Sequence, residues 1–492
     1  MPLRQNGSLR QEDRVDMAPR LHRDALYIGG QWCGASTGDR LVVENPATEE
    51  VLGFVPAGGR VDVDKAVSSA AEAAAEWGSS SVDERIAVLR QLGSLLRAST
   101  PELAALVTDE VGAPIRFSEK VHLGLPVSVV DSHVSLLEQG ALDDERIGTS
   151  LVTKAPMGVT VAITPWNYPL HQVIGKLAPA IAAGCTTVVK PSEIAPLSTF
   201  MLFDLLAECG LPPGVVNLVS GVGSDIGEAL VSHTDVDMVS FTGSTRAGRR
   251  VAELAGTGLK KVTLELGGKS ASIILDDADL DTAVKATVAK AYQNGGQTCS
   301  AWTRLLVPDR LYDEVLERVV TEAASFVPGD PREPATKLGP MVSGSQRAQV
   351  LDYIRKGEAE GAKVVAGGAY DVPGMTRGHY VPATVLTDVV PDATVAQEEI
   401  FGPVLSVLRY ENDDDAVAVA NNSRYGLAGA VWSTDVDRAS RVARRLATGR
   451  VDINGAAFNP LAPFGGFKDS GFGRELGRYG LEEYLQPRSL QL

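Results

Sequence analysis

Cys299 stands in Asn294-Gly295-Gly296-Gln297-Thr298-Cys299-Ser300, among small and polar residues that let a ligand come close to the backbone. Its thiolate is a candidate nucleophile. No histidine accompanies it in sequence, so its activation calls for positive charge or backbone N–H groups nearby. The competing reading, a small buried hydrophobe, is the one Cys33, Cys185 and Cys209 receive. Glu265 lies between Leu264 and Leu266 on an apolar segment. Burial raises a carboxyl's pKa toward neutrality and so makes a general base, although the spacing alone favours a salt bridge to Lys261 or Lys269. Asn167 sits on a turn stiffened by Pro165 and Pro169, where its amide can stabilise an oxyanion or close an Asx-turn.

A second group of residues suits a dinucleotide. Gly221-Val222-Gly223 with Gly227, and Phe241-Thr242-Gly243-Ser244 with Gly248, are Gly-rich turns between a strand and a helix, where free N–H groups attract phosphate. Neither is G-x-G-x-x-G or a Walker A loop, and each alone reads equally well as an ordinary turn. In Lys190-Pro191-Ser192-Glu193, just past a strand, the Lys can donate to ribose hydroxyls and the Glu can accept from them; capping of the next helix is the alternative.

The elements that must hold these residues follow from hydrophobic periodicity. β-Branched runs predict strands at Val159–Ile163, Thr186–Val189, Val215–Val219 and Met238–Phe241, alternating with helices through Ala183, from Leu197 to Cys209 and from Asp225 to Ser232. Such alternation describes βαβ units and a parallel, doubly wound sheet. A second alternation has strands at Ser272–Leu275, Arg304–Val307, Lys363–Ala366, Val404–Tyr410 and Gly429–Trp432, with helices including Asp281–Gln293 and Ser345–Glu360. Ser150–Lys154 and Tyr484–Leu492 fit neither lobe.

The 492 residues carry 46 basic and 62 acidic side chains, a net charge of −16 that gives nucleic acid and anionic membrane low priors. Four scattered cysteines without a C-x-x-C pair point to reduced cytoplasmic thiols, with no metal site expected. No apolar run reaches membrane-spanning length, and the N-terminal stretch has no signal-like apolar core. Residues 1–24 read as a disordered tail, with Met17 an alternative start.

Taken together and in order, PWNYP (165–169), KPSE (190–193), FTGST (241–245), LELGGK (264–269), GGQTC (295–299), EEIFGPV (398–404), NNSRYGLA (421–428) and PFGGFKDSGFGRE (463–475) resemble the NAD(P)-dependent aldehyde dehydrogenase superfamily. The resemblance runs from about residue 25 to the C-terminus and implies an α/β fold of two doubly wound parallel-sheet lobes with a small β oligomerisation element. The implied division is a tail at 1–24, an NAD-binding domain at 25–133 and 156–266, a catalytic domain at 267–462, and an oligomerisation element with C-terminal segment at 134–155 and 463–492. A homodimer or homotetramer is expected.

The resemblance also implies roles. Cys299 attacks the aldehyde, Asn167 and the Cys299 N–H hold the oxyanion, and Glu265 activates the hydrolytic water, with Lys176 and Glu475 supporting. Cofactor contacts are expected from Ile163, Thr164, Pro165, Trp166, Lys190, Ser192, Glu193, Gly223, Gly227, Phe241, Thr242, Gly243, Ser244, Leu266, Gly267, Glu399 and Phe401. Substrate contacts are expected from Tyr168, His171, Gln172, Gly175, Thr298, Ser300, Phe458 and Phe464, with Trp302 flanking the nucleophile. NAD is expected over NADP because Glu193 repels a 2′-phosphate; NADP is admitted if Glu193 swings away. The absent side chain at Gly175 suggests a wide tunnel for a medium or long, aromatic or ω-oxygenated aldehyde. A CoA-acylating semialdehyde dehydrogenase and a non-catalytic scaffold are the rivals; retention of Glu265, Cys299 and Asn167 argues against both.

Overall fold

The computed structural model describes residues 21–492. Two α/β bodies are each built on a large sheet. In the first, β1 (Ala25–Ile28), β2 (Gln31–Gly34), β3 (Val159–Ile163), β4 (Thr186–Lys190), β5 (Val216–Leu218), β6 (Met238–Thr242) and β7 (Lys261–Glu265) lie in the order β2-β1-β5-β4-β3-β6-β7. β3 to β7 are parallel, whereas β1 and β2 run antiparallel at one edge. The second sheet contains β8 (Ala271–Ile274), β9 (Arg304–Pro308), β10 (Lys363–Ala366), β11 (Thr384–Thr387), β12 (Val404–Tyr410), β13 (Ala428–Trp432) and β14 (Arg450–Ile453), in the order β10-β11-β12-β9-β8-β13-β14. It is parallel except for β10. Every residue of β3, β4, β6, β8, β9 and β13 is buried, as helices on both faces require of a parallel sheet.

Strand order decides where a ligand can sit. From β3 the chain moves outward to β4 and β5, then returns across β3 to β6 and β7. The carboxyl ends of β3 and β6 therefore flank a topological switch point, where the connecting segments diverge and open a crevice. Helix α1 (Pro169–Ala183) leaves the β3 turn with Pro169 at its first position and stops at Gly184, whose φ of 86° suits glycine. All of its residues except His171 are buried. After β7, residues 266–270 cross directly to β8, so one short turn joins the two sheets beside the crevice.

A three-stranded antiparallel sheet pairs Ser150–Pro156 with both Glu145–Ile147 and Leu485–Gln491. Two neighbouring stretches lie elsewhere. Residues 134–138 complete the helix Gly124–Glu138, and β15 (Gly471–Phe472) adds to the first sheet antiparallel to β7. The hairpin of Arg40–Asn45 with Glu50–Pro56 is unanticipated, because its hydrophobic alternation is broken by a bulge between Val43 and Glu44. The helix expected over Asp225–Ser232 is a wide turn, Gly223–Gly227, followed by the short helix Glu228–Ser232. Of the expected tail, residues 21–24 are ordered: His22 stacks on Phe54 and Arg23 pairs with Asp204 at 2.6 Å. The rest of that tail and the alternative start at Met17 lie outside the described residues. Among the described residues no helix is long and apolar enough to cross a membrane.

Candidate active site

Cys299 follows the helix α2 (Leu280–Ala291) and a tight turn at Gln293–Gly296. Asn294, Gly295 and Gly296 take φ of 54°, 66° and 74°, a left-handed run that asparagine and glycine tolerate best. It packs the chain tightly within the second body: a Cβ on Gly296 would sit 2.0 Å from the Gly402 carbonyl oxygen, just before β12. The crossing turn packs on the nucleophile in the same way, since a Cβ on Gly268 would lie 2.3 Å from the Cys299 carbonyl oxygen. The thiol is half-buried and pushed up to about 12, first by burial and then by Glu399 and Glu265; the Ser300 N–H opposes this.

Asn167 meets this turn from the β3 side. Its Nδ2 donates to the Gln297 carbonyl at 3.0 Å, and the Asn294 Nδ2 donates back to the Asn167 carbonyl at 2.8 Å. Among the described residues no backbone N–H donates to the Asn167 side-chain oxygen, so the Asx-turn alternative is set aside. Tyr168 is tied in beside it: its hydroxyl accepts from Gln293 Nε2 at 2.9 Å and bonds Thr298 Oγ1 at 2.8 Å, while His122 stacks on its ring at 4.8 Å.

Glu265 ends β7, is 4% exposed, and its Oε2 has no hydrogen-bond partner among the described residues. Burial, then Glu475, raises its carboxyl well above the usual range, against Lys176 and Arg474. The salt-bridge alternative is overturned, because Lys261 pairs with Glu483 at 3.0 Å and Lys269 Nζ has no partner. Lys176, on α1, donates to Thr242 Oγ1 at 2.8 Å and forms an ion pair with Glu475. Glu475 is held by reciprocal backbone bonds with Phe464, at 2.7 and 2.8 Å.

The crevice between β3 and β6 gathers the residues expected to hold a cofactor. Thr164 and Trp166 follow Ile163; Thr242, Gly243 and Ser244 follow Phe241; and Ser244 caps the helix α3 (Thr245–Thr257) by accepting from Ala247 N at 3.3 Å. Lys190 ends β4, with Nζ 3.0 Å from the Pro191 carbonyl and 3.4 Å from Glu193 Oε2. A Cβ on Gly223 would point at Glu193 Oε1, 3.9 Å away, and one on Gly227 at the Lys190 side chain, 3.8 Å away. Glu193 caps no helix: the N–H groups of Leu197 and Ser198 are taken by buried Glu110, at 2.8 and 3.1 Å. Ser192 Oγ accepts from its neighbour Ile194 N at 3.2 Å. From the second body, Glu399 Oε1 accepts from Gly268 N at 2.9 Å, and its other oxygen would be 2.3 Å from a Cβ on Gly267. Phe401, in the left-handed region at φ 58°, meets the Trp166 ring edge-on at 5.4 Å. Leu266 donates its N–H to the Ser470 carbonyl at 3.0 Å.

On the substrate side, a Cβ on Gly175 would have Glu475 Oε2 3.8 Å away as its nearest neighbour. His171 Nδ1 and Gln172 Oε1 are buried without hydrogen-bond partners, and burial pushes His171 down to about 4, which keeps it neutral. Phe458 and Phe464 meet edge-on at 6.3 Å, and Arg450 lies over the Phe458 ring at 4.8 Å. Ser300 is buried next to the nucleophile. Trp302, expected beside the nucleophile, packs edge-on against Trp432 in the core of the second body, just before β9 begins. Sequence reasoning also missed Gln293, Asn294, Gln297 and His122. Asn294-Gly295-Gly296 carried a signal of left-handed backbone, but nothing local pairs His122 with Tyr168.

The family model for the aldehyde dehydrogenase family matches residues 32–490. The chain belongs to the aldehyde dehydrogenase family. A 3-succinoylsemialdehyde-pyridine dehydrogenase from Pseudomonas sp. is 45% identical over 94% of this chain and 98% of its own. Among solved structures, a variant of aldehyde dehydrogenase C from Pseudomonas syringae, in complex with NAD+ and octanal, superposes with a TM-score of 0.94 at 42% identity, covering 95% of this chain and 96% of that one. A Mycobacterium tuberculosis aldehyde dehydrogenase complexed with NAD+ gives a TM-score of 0.93 at 40% identity, covering 96% and 98%. The protein is thus an aldehyde dehydrogenase with the two-bodied α/β fold of these relatives.

Proposed function

We propose that this aldehyde dehydrogenase oxidises a medium or long, aromatic or ω-oxygenated aldehyde to its carboxylic acid with NAD. The observation that carries the reading is the convergence of Cys299, Asn167 and a buried, under-partnered Glu265 from three separate segments at the mouth of the crevice. The residues also fit the cofactor: Gly223 and Gly227 leave room over Lys190 and Glu193, and the α3 N-terminus stands at the switch point. When bound, NAD supplies the hydride acceptor. Trp166, Ser244 and the β6 turn would hold the pyrophosphate, Lys190 and Glu193 one ribose, and Glu399 with Phe401 the other.

As its thiolate, Cys299 Sγ attacks the carbonyl carbon: the S–C bond forms as the C=O π pair moves to oxygen, giving a thiohemiacetal oxyanion. An amide nitrogen has two N–H groups; one on Asn167 holds Gln297, and the second, with the Cys299 backbone N–H, serves the oxyanion. Oxidation leaves an acyl thioester on Cys299. Glu265 then takes a proton from the water that hydrolyses it, its affinity for protons already raised by burial. Lys176 fixes Glu475, whose charge helps to set that affinity. Retention of Glu265 disfavours transfer to CoA.

The substrate range is supported by the open space at Gly175 and by the relatives solved with octanal or named for a pyridyl semialdehyde. The first body serves as the cofactor lobe and the second as the catalytic lobe, and the three-stranded sheet joins subunits into a homodimer or homotetramer. A cytoplasmic setting suits the four unpaired thiols. The test is NADH formation across aliphatic, aromatic and ω-carboxy aldehydes with Cys299→Ala alongside. Turnover without CoA that vanishes in the variant supports the reading, and acetaldehyde as the best substrate defeats the chain-length proposal. Glu193→Ser should shift preference toward NADP; an unmoved ratio defeats that assignment.

A further inference from the structure

Lys269 is fully buried, 2% exposed, and its ammonium has no hydrogen-bond partner among the described residues. It lies in the same turn whose preceding N–H, on Gly268, binds Glu399 Oε1 at 2.9 Å, and Glu399 is one of the charges that act on it. An isolated buried ammonium is unfavourable unless an opposite charge lies close by. The cations and anions around it are few. Arg304, from β9, is committed to the carbonyls of Lys269, Val419 and Ala420 at 2.9, 3.0 and 2.7 Å, and it repels Lys269. Glu398 accepts the Tyr353 hydroxyl at 2.7 Å. Arg424, the other cation acting on Glu399, donates to Tyr425 at 3.2 Å and faces Asp469. Glu399 itself is bound by one backbone N–H and by no side-chain donor among the described residues.

We propose that Lys269 is a positioning residue for the cofactor site, the buried counter-charge that holds the Glu399 carboxylate ready to accept a ribose hydroxyl. The proposal rests on the cofactor reading above. Burial pushes both groups to about 7 from opposite sides: Lys269 falls through burial and Arg304, while Glu399 rises through burial against the Gly268 N–H and Lys269. Each is therefore the partner that keeps the other charged near neutrality. The low-dielectric packing between them makes a charge effective even without direct hydrogen bonding.

The test is NADH binding by fluorescence enhancement between about pH 6 and 9, where both groups titrate, with Lys269→Met, Lys269→Arg, Glu399→Gln and the Lys269→Met/Glu399→Gln double variant. Wild-type binding establishes the site, and its absence overturns the cofactor reading before Lys269 is reached. Lys269→Met should weaken binding about tenfold at pH 7 and move the binding curve up by about one pH unit, as loss of a counter-charge requires. Lys269→Arg should restore both. In the Glu399→Gln background, Lys269→Met should change the Kd by less than about twofold, because no carboxylate remains to couple. An unmoved pH curve in Lys269→Met, or an equal loss in the Glu399→Gln background, overturns the proposal. If Lys269→Met is insoluble, Glu399→Gln decides: it should flatten the pH dependence of binding, and a dependence as steep as wild type refutes the coupling.

Discussion

Replacing Glu265 with Gln separates the two halves of the reaction. Gln keeps the shape and removes the proton acceptor, so the acyl thioester on Cys299 should form and then persist. Loss of a positioned general base lowers the rate by about 10²–10⁴-fold, or about 3–5 kcal/mol at roughly 1.4 kcal/mol per decade. The site indicates that stability should not fall with it. Glu265 Oε2 has no partner and the buried carboxyl faces Glu475, so neutralising it relieves both burial and like-charge repulsion. Stopped-flow mixing with NAD and a long aldehyde should show an NADH burst of about one per Cys299, as expected when an acyl-enzyme accumulates, followed by a much slower steady state. Calorimetry should show a Tm at or above wild type. A burst lost in proportion to the steady state, or a steady state within about fivefold of wild type, would refute the role given to Glu265, since base removal should exceed that margin.

Other perturbations probe the remaining parts of the site. Asn167→Ala should lower kcat by about 10²–10³-fold through loss of an oxyanion donor; a change confined to KM would oppose that role. Alkylation of Cys299 by iodoacetamide in the cofactor-free enzyme should rise about tenfold per pH unit from neutrality toward pH 11, because the thiol is held up at about 12 and only the thiolate reacts. A plateau below about pH 9, as for an unperturbed thiol, would contradict the electrostatics described. Gly296→Ala combines a φ of 74° with a Cβ 2.0 Å from the Gly402 carbonyl. It should lower stability by about 2 kcal/mol or more, on the scale of backbone strain, and should cut activity by displacing Cys299; a Tm equal to wild type would show that the turn relaxes freely.

Much of this protein is legible in its residue order. β-Branched runs bounded by turn residues marked β3, β4 and β6, because a parallel sheet covered on both faces favours largely apolar strands. The motif set identified the family and singled out Cys299, Glu265 and Asn167. Residue order could not arbitrate between the readings of each residue, because the deciding neighbours are remote. The Asn167 amide reaches across to Gln297; Glu193 is not a cap because Glu110 is; and Glu265 makes no salt bridge with Lys261, which pairs with Glu483. Trp302 shows the limit in the other direction, as its place near Cys299 in sequence did not reveal its packing on Trp432 in the core. Local chemistry and periodicity are written in the chain over a few residues. Which charge is buried, which donor is already spent and which two turns touch depend on contacts between segments brought together only when both sheets close on the crevice.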